Sequence, residues 1–282
     1  MASKRLDAMP DSQHVDPGKE MGAETRTVVE ATPRGDFPSY PIDLWAAWKA
    51  FRGLVRDKED TRFVFAFFHA VNGRSYQRFF EEFAGSEYGQ RIIADHEQLG
   101  RVLTDRAALE AHGPGTFAAA YLHYLDTENL SPLGVYEANL ANAPEEMAAY
   151  KRDWPHLYSV SYMMNLTHDL YHVLTGYGRD PLGEALLLMW TGTQTNGRGP
   201  KWLGAMAGMQ IRSEIFSWPV GRMMKEAKRL AREADKFHTV DLTALFPLPL
   251  EEARARLKVR LPELYRETLA SWDGDMPVAV RA

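Results

Sequence analysis

From Pro41 onward the apolar residues recur at intervals of three and four, and no convincing stretch alternates with period two. Leu44, Trp48, Phe51 and Val55 open the pattern as a stripe along one helix face, which predicts a buried seam. Asp60 or Thr61 can cap a second helix carrying Phe63, Phe65, Phe67, Phe68 and Val71, which stops at Asn72-Gly73. Ser75 opens a third with Phe79, Phe80 and Phe83, and these aromatics are expected in the core. Further helices are predicted over Gln90 to Leu103, Thr116 to Tyr124, Pro144 to Lys151, Leu157 to Leu174, Pro181 to Thr193, and Lys201 to about Phe237, the last kinked or broken at Pro219. Gly113-Pro114-Gly115 and Asn196-Gly197-Arg198-Gly199-Pro200 are firm breaks. A chain without strands buries its apolar faces helix against helix, so the fold class is all-α, a single-domain bundle of about eight to ten helices.

The predicted organisation is a disordered N-terminal tail over 1–38, an α-helical domain over 39–270 and a C-terminal tail over 271–282. The opening residues mix Pro10, Pro17 and Pro33 with Asp11, Asp16, Glu20, Glu24 and Glu30. They hold neither the apolar run of a signal peptide nor the acid-poor, basic character of a transit segment. The 282-residue chain has 45% hydrophobic residues, enough for a sizeable core. Its 33 basic and 38 acidic residues give a net charge of −5, against a nucleic-acid footprint spread over the molecule. With no cysteine, thiolate metal sites, thiol nucleophiles and disulfides are all excluded.

The densest gathering of candidate metal ligands is His168-Asp169-Leu170-Tyr171-His172, followed after eleven residues by Glu184. At about 100° per residue the two histidines stand one turn apart on one face, and Asp169 lies on the adjacent edge. Gly176 and Gly178 end that helix, and Asp180-Pro181 caps and starts the next, which puts Glu184 in its first turn. A short reversal would bring Glu184 back toward the histidines. Two nitrogens with one or two carboxylates suit zinc with an open position, and iron(II) or manganese accept the same set. The bland alternative is two ordinary helix histidines and an acid that favours a helix N-terminus.

Gly221 to Phe237 is two-sided, with Met223, Ala227, Leu230, Ala234 and Phe237 opposite Arg222, Lys225, Lys228, Arg229, Arg232 and Lys236. Such a helix either lies on an anionic membrane or is a core helix with a solvated basic face. The methionines clustered in this half either line an adaptable apolar groove or are plain core filler.

These residues together make the chain resemble the ubiquinone (coenzyme Q) biosynthesis protein four family. Its signature, His-Asp-x-x-His followed by eleven residues and Glu, stands here as His168, Asp169, His172 and Glu184. Supporting stretches are Leu54 to Thr61 with Val64-Phe65, Pro114-Gly115-Thr116-Phe117 with Tyr121 and Leu125, Gln194-Thr195-Asn196-Gly197, and Pro249 to Arg254. The resemblance covers roughly Leu44 to Pro262. It implies an α-helical, divalent-metal protein, with Zn2+ the usual ion, that acts on a polyprenylated hydroxybenzoate. The reaction would remove the C1 carboxylate and install a hydroxyl there. It also implies His168, Asp169, His172 and Glu184 as the metal and catalytic set, a homodimer, other quinone-biosynthesis enzymes as partners, and peripheral contact with the cytoplasmic, inner face of a membrane.

The chain departs from the family between Tyr158 and His168, where no basic residue appears, and at Leu187 to Trp190, where a lysine is common. The alternatives are therefore a paralogue acting on another prenylated or lipidic molecule, and a non-catalytic lipid-binding scaffold with the metal as a staple. A hydrolase is a third, through the likeness to His-Glu-x-x-His peptidases or an HD-type set drawing on His156 or His123 with Asp235. Trp154 and Trp190 are candidates for stacking on a substrate ring or for plain packing.

Overall fold

The computed structural model describes residues 42–56, 62–142 and 144–273. The expected tail over 1–38 and most of the C-terminal tail, 274–282, lie outside the described residues. Among the described residues there are fifteen α-helices, two short 3-10 helices and no strand, so the all-α expectation holds with more helices than expected. The excess comes from pieces of five to nine residues, such as Arg106–Glu110 and Gly134–Asn142, which are too short to show a periodic stripe.

Two long helices hold the centre. The first, α10, runs Pro155–Thr175 and the second, α11, runs Pro181–Gln194. Both are buried on nearly every face, which is why their sequences read as apolar almost all round. The helix α10 packs on α4 (Glu87–Ala94), α7 (Phe117–Glu128), α9 (Pro144–Asp153) and α14 (Leu250–Arg256). The helix α11 packs on α12 (Arg198–Glu214) and α13 (Val220–Glu233). Trp190 is fully buried, with its ring against Tyr171 and Phe237, so it packs the core and does not face a ligand.

The expected break at Pro219 is present, since α12 ends at Glu214 and α13 begins at Val220. The expected single helix from Gln90 to Leu103 is instead two, α4 and α5 (Glu97–Thr104), because the Asp95 side chain accepts from the Gln98 N–H at 3.2 Å and starts the second. The stripe on α1 (Leu44–Arg56) is overturned: Leu44, Trp48 and Val55 are exposed. Its buried side is Ala47 and Ala50, small enough to let α1 approach α2 (Arg62–Asn72) closely, in a minor core shared with Phe67, Val71 and Leu203.

The basic helix is α13. Met223, Ala227, Leu230 and Ala231 are all buried in the main core, so its apolar stripe is consumed inside the protein and does not lie on a membrane. Gln194, at the end of α11, anchors it. The Gln194 amide donates to the carbonyls of Ala231 at 2.7 Å and Asp235 at 3.1 Å and accepts from Phe237 N–H at 2.9 Å.

Candidate metal centre

The chain turns between α10 and α11 in five residues. Gly176 ends α10 at φ 77°, left-handed backbone that glycine tolerates without strain. Asp180 caps α11, its Oδ1 accepting from Gly183 N–H at 3.0 Å, and Pro181 occupies the first helical position. The reversal places Glu184, in the first turn of α11, against the last turns of α10.

His168 and His172 stand one turn apart with ring centroids 4.7 Å apart. Glu184 Oε1 is 3.3 Å from His172 Nε2, and Glu184 Oε2 is 3.8 Å from His168 Nε2. One ligand atom from each of the three lies within 4.8 Å of the others, the one such group among the described residues. Asp169 is placed differently. Its Oδ1 stands 3.5 Å from His168 Nδ1, the nitrogen turned away from Glu184, so it sits behind His168 instead of completing the trio. That follows from its position: the residue after a ligand on a helix points about 100° away. Among the described residues, His123, His156 and Asp235 do not converge on this site, and the HD-type constellation is not assembled.

The tautomer of His172 is fixed from outside the trio. Its Nδ1 lies 2.9 Å from the Tyr177 carbonyl, which can only accept, so Nδ1 carries the proton and Nε2 is the bare nitrogen. That Nε2 is buried and has no hydrogen-bond donor. It therefore faces a carboxylate oxygen at 3.3 Å as one acceptor facing another. A cation between them satisfies both, so the residues present fit a divalent metal. Burial works against charge on Glu184, but the positive charge of protonated His172 and His168 and of Arg179 outweighs it and holds the carboxyl below its usual range, so this corner of the protein favours a cation. Burial also opposes a charged His168, yet Asp169 and Glu184 prevail and raise it.

Several contributors are far from the motif. Tyr124 of α7 stacks on His172, centroids 5.6 Å apart and planes 20° apart, and its hydroxyl is buried without a partner. Burial, reinforced by Asp169 and Glu184, pushes that hydroxyl up and keeps it protonated. Arg179 in the turn supplies a cation to a site whose own helix has none. It is tied only at 3.8 Å to Glu128, and its charge reaches His168 and Glu184. The glycine-flanked turn was visible in the sequence, but nothing there linked Tyr124 to His172.

The sequence signature of the Coenzyme Q (ubiquinone) biosynthesis protein Coq4 family matches residues 44–263. The chain belongs to the Coq4 family. The match runs from the first residue of α1 to the first residue of the last helix, and so contains both helices that carry the trio in this Coq4 chain. Curated Coq4 relatives are distant. One is the ubiquinone biosynthesis protein COQ4 homolog 1, mitochondrial, of Culex quinquefasciatus, 27% identical over 44% of this chain and 42% of its own length. Another is the COQ4 homolog, mitochondrial, of Bos taurus, 25% identical over 64% of each. The chain thus spans less than two thirds of the length of these relatives. A crystal structure from Nostoc punctiforme, assigned provisionally to ubiquinone biosynthesis, superposes with a TM-score of 0.51 over 77% of this chain and 98% of its own. At 14% identity it supports the Coq4 fold alone.

Proposed function

We propose that this Coq4-family protein holds one divalent metal ion on His168, His172 and Glu184 and removes the C1 carboxylate of a polyprenylated hydroxybenzoate in ubiquinone biosynthesis. The observation that carries the reading is the buried, donorless Nε2 of His172 aimed at the Glu184 carboxylate. Zinc suits the two nitrogens and one carboxylate best, and iron(II) or manganese accept them. The His168 side chain is 36% exposed, which leaves an approach for a substrate oxygen on that side of the trio. When bound, the ion would supply Lewis acidity, lowering the phenol pKa and stabilising negative charge on the ring.

The protein groups take the remaining roles. Arg179 offers its guanidinium to the substrate carboxylate. The protonated Tyr124 hydroxyl donates a hydrogen bond to a ring oxygen. As the bond from C1 to the carboxylate breaks, its electron pair stays on the ring and carbon dioxide leaves. A proton from solvent then goes to C1, and Asp169 is the carboxylate nearest the trio, not itself a ligand, that could relay it. Hydroxylation at C1 would additionally consume O2 as the oxidant.

Peripheral membrane contact, a homodimer and association with other quinone-biosynthesis enzymes belong to the same proposal. No helix among the described residues is long and apolar enough to cross a membrane. Support for peripheral contact lies on α1, where Leu44, Trp45, Trp48 and Val55 are exposed beside Lys49, Arg52 and Arg56 with no acid in the helix. The same exposed apolar residues are what favour the second reading, a non-catalytic scaffold that binds a polyprenyl lipid.

The test uses a polyprenylated hydroxybenzoate labelled in its carboxyl carbon, incubated with wild type and with a His168→Ala, His172→Ala double variant under air and without oxygen. Labelled carbon dioxide from the wild type and none from the variant is expected. The ring product, carrying hydrogen or hydroxyl at C1, separates simple from oxidative decarboxylation. A metal-loaded wild type that releases no label contradicts the catalytic reading and leaves the scaffold.

A further inference from the structure

The helices α10 and α11 follow one another through the turn 176–180, and His172 and Glu184 each depend on a different residue of it. His172 owes its tautomer to the Tyr177 carbonyl, 2.9 Å from Nδ1. Glu184 owes its place to Asp180, whose Oδ1 accepts from Gly183 N–H at 3.0 Å and starts α11. The turn itself is held from a distance of more than eighty residues along the chain. The hydroxyl of Tyr265, on α15 (Glu263–Ala270), donates to Asp180 Oδ2 and accepts from Gly178 N–H at 2.9 Å. Its ring lies edge-on to Tyr177, centroids 5.4 Å apart.

The segment carrying Tyr265 presses on the turn along its length. A Cβ on Gly176 would come within 2.8 Å of the Leu261 side chain, and one on Gly178 within 2.9 Å of the Tyr265 hydroxyl oxygen. Further back, Arg254 donates from Nε to the Leu174 carbonyl at 2.9 Å and from Nη2 to the Val173 carbonyl at 2.7 Å, holding the last turn of α10. Arg254, Leu261 and Tyr265 therefore brace the last turn of α10 and the turn that follows it. Tyr265 is buried, and burial together with Asp180 keeps its hydroxyl protonated and able to donate.

We infer that Tyr265 is a positioning residue of the metal centre: by bridging Gly178 and Asp180 it fixes the spacing of His172 and Glu184 and so sets the affinity of the trio for its ion. The inference rests on the metal reading above. The physical reason is preorganisation. Without the bridge the Gly178 N–H and the Asp180 carboxylate lose their shared partner, the turn relaxes, and binding must order it again. Residues that orient ligands from behind typically govern affinity by roughly 10–100-fold.

The experiment titrates the metal-free full chain with cobalt(II), whose visible absorption reports both binding and coordination geometry. It compares wild type, Tyr265→Phe, the His168→Ala, His172→Ala double variant, and Tyr136→Phe as a control that breaks a half-buried hydroxyl pair elsewhere, 2.8 Å between Tyr136 and Tyr158. Wild type is expected to bind one equivalent and the double variant none. Tyr265→Phe is expected to bind about 10–100-fold more weakly with a shifted spectrum, and Tyr136→Phe to match wild type. Wild-type affinity and spectrum in a folded Tyr265→Phe overturns the inference. If that variant does not fold, Asp180→Asn decides, since it keeps the cap acceptor but weakens the bond from Tyr265. Weakened binding there supports the inference, and unchanged binding overturns it. A wild type that binds no cobalt sinks the metal reading itself.

Discussion

His172 and His238 are both buried histidines, and their surroundings give them opposite uses. The nitrogens of His172 face a carbonyl and a carboxylate, which is the setting of a ligand. His238 is fully buried beside Phe79, with ring centroids 4.9 Å apart, and neither of its nitrogens has a hydrogen-bond partner. Glu82 stands 3.6 Å away, and Lys236 sits on the far side of that carboxylate. Burial is the largest influence on His238 and Lys236 adds to it. Together they outweigh Glu82 and bring the pKa down from 6.5 to about 4. The fold thus favours the neutral ring, so its contribution to stability is intact above pH 6.5 and decays as the pH falls toward about 4. The loss over that window is at most ~3 kcal/mol. Urea unfolding at pH 7 and pH 4.5 should show this acid slope in wild type and a flatter one in His238→Gln; equal slopes would remove His238 as its source. At this scale the sequence disclosed the trio but not its supports. His168 and His172 share one helical face and Glu184 follows just after the turn, whereas Tyr124, Arg254 and Tyr265 meet the site only through tertiary packing.

The elements that matter most are the two helices and the turn that brings them together. Gly183, in the first turn of α11, lies so close to the turn that a Cβ there would overlap the Gly178 carbonyl oxygen. Gly183→Ala should push α11 away from the turn, lower stability by roughly 1–3 kcal/mol, and carry Glu184 out of reach of His172. Thermal melting and cobalt titration check both halves of that expectation. Retained metal affinity in the variant would mean that Glu184 is not held by this contact. The turn was legible because glycine and proline punctuate it and Asp180 is a good cap. The break between α4 and α5 was not, because the apolar spacing of Ile92, Leu99 and Leu103 continues across Asp95. The orientation of α1 was misread for a related reason. Periodicity identifies an amphipathic helix, but packing chose the alanine side of α1 for contact with α2 and left its tryptophans exposed.

Across the whole molecule, a large core built around α10 and α11 carries the site, and a smaller core docks α1 and α2 against α12. The class of fold was readable because a helical period without alternation leaves only helix-on-helix packing. The number of helices was not, because the short ones carry too few residues to show a stripe. A bundle of this kind can present a metal between two neighbouring helices without ordering a loop, and a bound ion in turn stabilises the folded state by mass action, by roughly 4 kcal/mol at a thousandfold excess over Kd. The central claim is that His168, His172 and Glu184 hold one metal ion. Element-resolved metal analysis of the purified protein, beside the His168→Ala, His172→Ala double variant and with melting temperatures before and after a chelator, tests it most directly. The account predicts about one divalent ion per chain in the wild type, none in the variant, and a chelator-induced fall in melting temperature confined to the wild type. Equal metal in both proteins, or a wild type that refuses zinc, iron(II) and manganese alike, would contradict it.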